Sequence, residues 1–218
     1  LSWEKTAGLN LGIDFRILDN RIGGNIEYYQ TSTTDLLWNM VLPEMTGFSQ
    51  IKTNIGEIAN SGFEFSIQTN PVKTKELIWD IDLNFSTNKN EIISLLGEDN
   101  DDDGKEDDLV ASGLFIGESI GAVYSYKIDG IWQLDDDIPE GYYPGSYRIV
   151  DTSGDGEIAA DDRIILGRTE PAYRLGMHNT ITYKDFSLRF FIHSIQGGKD
   201  GYLGRNATSG ITTSTGTA

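Results

Sequence analysis

The sequence predicts an all-β protein, and within that class an antiparallel transmembrane β-barrel segment with long extracellular loops. Three observations carry this. Large apolar side chains alternate with polar ones at period two through several stretches of about ten residues. The connections between those stretches alternate between short and long, as in barrels with short periplasmic turns, an alternation that ordinary β-sandwiches share. Composition agrees: with 25 glycines, 11% aromatics and only five prolines among 218 residues, it favours turn-rich sheet over helix. No run of about 18 apolar residues is present, so the sequence contains no transmembrane helix.

The first strand is LNLGIDFRI (9–17), where Leu9, Leu11, Ile13, Phe15 and Ile17 oppose Asn10, Gly12, Asp14 and Arg16. After the tight LDN turn, RIGGNIEYYQ sets Ile22, Ile26 and Tyr28 against Arg21, Asn25 and Glu27, completing a hairpin. Phe63, Phe65 and Ile67 repeat the alternation, as do Trp79, Ile81, Leu83 and Phe85 against Asp80, Asp82, Asn84 and Ser86. The last pair, RLGMHNTITY and FSLRFFIHS, meets at Lys184-Asp185, with Phe186, Leu188, Phe190 and Ile192 on one side.

The short connections are 18–20, 71–77 and 184–185, and the long ones 32–57 and 89–173. GAVYSYKIDGIWQ (121–133) also reads as a strand. If it spanned, the turn at 184–185 would fall on the opposite side from the other two. Residues 89–173 are therefore expected to form one large extracellular region within 1–218 that does not cross. The abrupt ends, and the lack of a signal-peptide pattern at the start, lead us to expect part of a longer chain.

A formal net charge of −17, with 34 acidic and 17 basic residues, argues against a nucleic-acid partner, since little would neutralise phosphates. It suits cation binding or a neutral polar substrate. The absence of cysteine excludes disulfides and thiolate metal sites.

One acidic stretch has the spacing of a calcium loop. In DTSGDGEIAADD, positions 1, 3 and 5 are Asp151, Ser153 and Asp155, the turn glycine is Gly156, and Glu157 offers its carbonyl at position 7. Asp162 stands at position 12, where a longer bidentate Glu is usual, so the loop must close more tightly or bind more weakly. The competing reading is a solvated Asp/Gly turn. A second run supplies Asp99, Asp101, Asp103 and Asp107, with Val110 at position 12, and charge runs of this kind are usually solvated loops. Any Ca2+ bound here would be structural.

GESIG (117–121) matches a nucleophile elbow literally, but strand-like residues follow where a helix is required, so no enzyme is predicted. The two histidines, His178 and His193, read as polar-face residues. Tyr28, Trp79 and Tyr183 fit an interfacial aromatic girdle. Trp132, Tyr124, Tyr126, Tyr142 and Tyr143 offer either a sugar-stacking surface or the small core of the loop region, and the core reading is favoured.

TTDLL (33–37), NIGEIANSGFEFSI (54–67), IGESIGAVYSYKIDGIWQ (116–133) and the long run PGSYRIVDTSGDGEIAADDRIILGRTEPAYRLGMHNTITYKDFSLRFFI (144–192) occur in that order. Together they resemble the later barrel region of SusC/RagA-type TonB-dependent outer-membrane transporters. The resemblance covers nearly the whole chain, fading after Gly198. It implies part of a large, 22-stranded barrel in the Gram-negative outer membrane. It also implies TonB acting through an N-terminal plug, a SusD-like surface lipoprotein, and a glycan or oligopeptide substrate. The plug domain and final strands are expected to be absent from these residues. About six strands cannot close so large a barrel, and their edges would be costly in lipid. The alternative is a soluble, secreted, calcium-binding β-sandwich, an adhesin or glycan-binding module.

Overall fold

The computed structural model describes residues 1–42 and 44–199. Among these, β1 (Lys5–Ile17), β2 (Ile22–Val41), β3 (Gln50–Lys73), β4 (Leu77–Ser94), β9 (Tyr173–Tyr183) and β10 (Phe186–Gln196) form one antiparallel sheet in the order β1-β2-β3-β4-β9-β10. Two small sheets lie between β4 and β9 in sequence. In one, β5 (Ala122–Tyr126) pairs with β8 (Arg163–Arg168); in the other, β6 (Ile128–Ile131) pairs with β7 (Tyr147–Ile149). The chain divides accordingly into two compact units. One is Leu1–Gly121 with Glu170–Gly198, and the other is Ala122–Thr169 with Lys199.

The register turns the sequence alternation into a two-faced wall. One row of cross-strand partners reads Ile13, Ile26, Phe65, Phe85, Leu175; the next reads Phe15, Gly24, Ile67, Leu83, Met177, Ile192. The alternate rows are polar: Asp14, Asn25, Ser66, Asn84, Gly176, His193, then Arg16, Gly23, Gln68, Asp82, His178, Phe191. Leu11, Ile13, Phe186 and Leu188 are all more than half exposed, as a lipid-facing surface requires. Asn179, like Thr69 and Thr87, is a polar residue in the apolar rows. It is buried and accepts the Trp79 indole N–H at 3.2 Å, while its own amide nitrogen has no partner among the described residues.

The apolar band is skewed across the sheet, and the skew measures strand tilt. Its upper edge lies at Leu9 on β1 but at Ile192 on β10, whose row meets β1 at Phe15. From Leu9 to Phe15 is roughly 20 Å of rise, while the five steps from β1 to β10 cover roughly 24 Å. The strands therefore run about 40° from the band normal, the tilt that barrel closure demands.

The structure corrects several boundaries. The connection expected over 32–57 is mostly strand: β2 and β3 continue as paired arms and leave only 42–49 between them. Thr, Asn and small residues replaced the large apolar ones along those arms, so period two faded while backbone pairing persisted. The turn expected over 71–77 shrinks to 74–76, because β3 absorbs Pro71 at a register shift between Thr69 and Val72. Tyr28 lies well inside β2 rather than near its end, though it does sit close to the upper edge of the apolar band. Within residues 121–133, Ala122–Tyr126 and Ile128–Ile131 form two short strands that pair outside the six-stranded sheet.

An enclosed core exists only above the band among the described residues. Ile55, Ile58, Ile92, Leu95 and Leu114 are buried together, with Leu36, Trp38, Leu109 and Ile116 packed against them. Burying each such side chain contributes about 1.5–3 kcal/mol. Lower down, shape decides. Tyr29 crosses β3 on the polar face to donate to Asn88 at 2.9 Å, passing over its direct partner Gly62. A Cβ on Gly62 would collide with the Tyr29 ring and the Thr87 carbonyl. Gly62→Ala is therefore expected to lower the unfolding midpoint of the detergent-solubilised protein, by about 1–3 kcal/mol in stability terms. Adding Tyr29→Ala should recover only part, because the Thr87 clash remains. An unchanged midpoint for Gly62→Ala would contradict this packing.

Candidate functional site

The polar face of the sheet is chemically mixed and carries two adjoining clefts. A cleft of about 440 Å³ is bordered by Glu27, Glu64, Ser86, Arg174, Phe191 and His193. A second, flanked by Asp14, Arg16 and Gln68, adjoins it through Asn25 and Ser66. Side-chain hydrogen bonds knit this face together: Ser66 donates to Asn25, Asn25 to Glu27 at 3.0 Å, and Asn90 to Asn60 at 2.8 Å. The two histidines do not converge on a ligand position. Instead they flank Phe191, whose ring centroid lies 6.1 Å from His178 and 5.8 Å from His193. Phe191 is an apolar residue on the polar face, and Gly176 beside it leaves the ring room. Sequence reading placed the histidines correctly and passed over Phe191, which sits inside an all-apolar triplet.

Above the band, the segment after β4 folds back on the strand that precedes it. Ile92 donates its N–H to the Glu118 carbonyl and accepts from Gly117, both at 2.8 Å. Glu106 clamps the start of this loop by accepting from the backbone N–H groups of Leu95 and Gly97, both at 2.6 Å. Ser119, the serine of the nucleophile-elbow match, is buried and donates to Glu170 at 2.9 Å. It is held by a carboxylate within a structural turn.

The acidic stretches differ in how they use their carboxylates. In the first run, Asp99, Asp101 and Asp107 bring carboxylate oxygens within 4.8 Å of one another. Asp99 accepts from the N–H groups of Asp103 and Gly104, and Asp107 from Asn100. Asp103 lies outside that triplet and turns to Lys105.

In the second stretch the carboxylates fold the loop around themselves. Asp151 accepts from Ser153, Gly154 and Gly156, and Asp155 from Glu157. Gly154 and Gly156 take left-handed φ values of 80° and 90°, which a side chain would resist. Asp162 is fully buried and is the hub. It accepts from the N–H groups of Thr152 and Ser153 on one oxygen and of Ala159 on the other, at 2.7–3.0 Å. Those hydrogen bonds, led by the ones from Ser153 and Ala159, outweigh desolvation and lower its pKa to about 2.

The aromatic residues of the second unit are half-buried and meet in pairs rather than in an enclosed core. Trp132 lies 6.4 Å from Tyr142, with the Arg148 guanidinium 5.6 Å above its ring, and Arg163 stands over Tyr126. Asp129 accepts from Arg148 at 2.6 Å and holds its pKa above the usual value. Tyr143 remains largely exposed.

Because the folded pKa of Asp162 is depressed, its contribution is complete above about pH 4 and is lost as pH falls through about 2. Amide exchange over 151–159, after correction for intrinsic rates, is expected to lose protection in that window. Asp162→Asn leaves one good acceptor oxygen and should lose the protection already at neutral pH. Equal protection in wild type and Asp162→Asn at pH 7 would remove Asp162 from the hub position.

No family model matches the chain. The TonB-dependent receptor P3 of Formosa agariphila is 36% identical across 91% of the chain, and the Bacteroides thetaiotaomicron receptor SusC is 33% identical across 89%. The chain spans about a fifth of the length of these curated relatives. Among solved structures, the RagAB peptide transporter superposes with a TM-score of 0.64 at 22% identity, covering 90% of this chain and 22% of that one. A RagAB peptide importer in a closed-closed state reaches 0.67 at 21% identity. Sequence kinship over nine-tenths of the chain, joined to a sheet with one lipid-facing and one polar face, gives one conclusion: the chain belongs to the TonB-dependent receptors of the SusC/RagA type, as a segment of their β-barrel.

Proposed function

We propose that this chain forms part of the wall and the extracellular superstructure of an outer-membrane nutrient transporter that imports glycans or oligopeptides. The apolar face meets lipid, and the polar face lines the lumen that TonB opens by pulling on the plug. A SusD-like surface lipoprotein captures substrate above residues 89–173. The observation that carries this reading is the two-faced sheet, whose apolar band is skewed as a tilted barrel wall would be. The polar face suits the role, since mixed charges, amides and hydroxyls let a polar solute pass without binding it tightly. No bond-breaking chemistry is required. A soluble sandwich would have to cover the exposed apolar face, and the other described sheets have only two strands each.

The test is uptake by cells expressing the complete receptor and its lipoprotein. Labelled oligosaccharides or peptides should accumulate only with TonB intact and the proton-motive force present. Retention of the receptor in the soluble fraction without detergent would overturn the reading in favour of a secreted module.

Calcium completes the proposal. The two acidic stretches offer hard oxygen donors, which suits Ca2+. In the first, the Asp99, Asp101 and Asp107 carboxylates stand close together with the nearby cation Lys105 directed at Asp103. In the second, Asp151, Ser153, Asp155, Asp162 and the Glu157 carbonyl would hold the ion, stiffening a loop with almost no apolar core of its own. Calcium added to the chelator-treated receptor should slow amide exchange across both 99–107 and 151–162. Asp155→Ala should abolish the slowing in the second stretch alone. No change on adding millimolar calcium would mean both are self-bonded turns.

A further inference from the structure

One seam of the six-stranded sheet has no turn to set its register. β1 meets β2 through residues 18–21, β3 meets β4 through 74–76, and β9 meets β10 through 184–185. Even the long arms of β2 and β3 close over 42–49. β4 and β9 lie side by side although residues 95–172 separate them. In a hairpin the turn type and loop length decide which residues face each other; so long a connection sets no register. Hydrophobic patterning does not supply what is missing, because a slip of two residues keeps every side chain on its face.

Contacts across this seam run on a diagonal. Trp79 is paired with Ile181, yet its indole N–H reaches two residues along β9 and donates to Asn179 Oδ1 at 3.2 Å. Phe85 is paired with Leu175 and stacks in the same sense on Tyr173, with ring centroids 5.7 Å apart. The Trp79–Asn179 bond is the one side-chain hydrogen bond between β4 and β9 among the described residues. At the foot of the seam Lys184 meets Glu76 at 3.7 Å, but both side chains are more than half exposed, and such pairs contribute little.

Asn179 also carries a cost. It is 1% exposed, its amide nitrogen has no partner among the described residues, and its row faces hydrocarbon. A buried donor left unpaired is destabilising, and an apolar side chain of similar size would avoid the penalty. What the amide adds is discrimination. If β9 slipped to set Asn179 opposite Leu83, Trp79 would face Tyr183, and the amide would lie four residues along the seam from the indole. Both polar groups would then stand unpaired where no water reaches them.

We infer that Trp79 and Asn179 form a register lock for the β4–β9 seam, selecting one alignment at some cost in stability. The lock depends on the barrel wall alone and not on which solute the transporter carries.

The experiment uses the complete receptor assembled in its outer membrane, with cysteine pairs on the polar face reporting register. Asp82→Cys with His178→Cys joins direct partners in the native register. Asp82→Cys with Thr180→Cys joins direct partners only after the slip, since a disulfide needs closely facing Cβ atoms. With Trp79 and Asn179 intact, only the first pair is expected to oxidise. Asn179→Leu should raise cross-linking of the second pair roughly tenfold, the factor of one strong hydrogen bond. Its unfolding midpoint in detergent should stay level or rise, which a merely stabilising contact would not allow. Trp79→Phe keeps an aromatic ring but loses the N–H donor; it should raise the second pair likewise, and it carries the test if Asn179→Leu fails to assemble. Silence of the second pair in the variants that assemble, with or without a lower midpoint, would reduce the contact to ordinary packing and overturn the lock.

Discussion

A backbone passing through hydrocarbon has no water to satisfy its N–H and C=O groups, and most of this structure follows from that constraint. Every amide in the band must find a partner on a neighbouring strand, so pairing is continuous from β1 to β10 over the rows that face lipid. Continuous antiparallel pairing fixes register, and register fixes which face each side chain takes. The outer edges of β1 and β10 are the exception within the described residues, and in lipid they call for further strands. Where water returns above the band the constraint relaxes. There the chain forms 3-10 turns and loops held by carboxylates, as at Glu106.

Inside the band the sequence was legible because hydrocarbon on one side and a polar lumen on the other force strict alternation. Leu9 to Ile17, Trp79 to Phe85 and Phe186 to Ile192 therefore declared their face without any coordinates, and Lys184-Asp185 declared the turn. Outside the band that force vanishes. Thr31 to Thr34 and Thr53 to Asn54 pair as well as any strand, yet nothing in their pattern separates them from loop. Phe191 was hidden for a different reason: a neighbouring phenylalanine carries the lipid-facing signal, and a residue between two apolar ones reads as either face. Asn179 is the converse. It sits on the apolar face because Trp79 needs an acceptor for its indole N–H in a region that offers no water.

The loops were legible in type but not in construction. Spacing read Asp151 to Asp162 as a calcium loop or a solvated Asp/Gly turn, with Gly156 at its sharp turn. What spacing could not give is that Asp162 accepts three backbone N–H groups. That count depends on how the chain returns through the 3-10 turn at Ala160–Asp162. The same carboxylate-to-backbone logic recurs at Glu106, which lies in a charge run that reads as featureless. In a region without a large core, carboxylates take over the ordering that apolar burial performs elsewhere.

The opening at Gly62 bears on assembly as well as on packing. A slip of β3 by two residues in either direction preserves the in-out pattern of side chains, so hydrophobicity alone would tolerate it. Such a slip would bring Asn60 or Glu64 opposite Tyr29, with no gap for the ring to cross and no line to Asn88. The glycine thus acts as a gauge that only one alignment passes. An insertion machinery adding strands one hairpin at a time would find the correct pairing marked by a fit between two side chains rather than by the lipid boundary, which cannot tell the two slips from the native register.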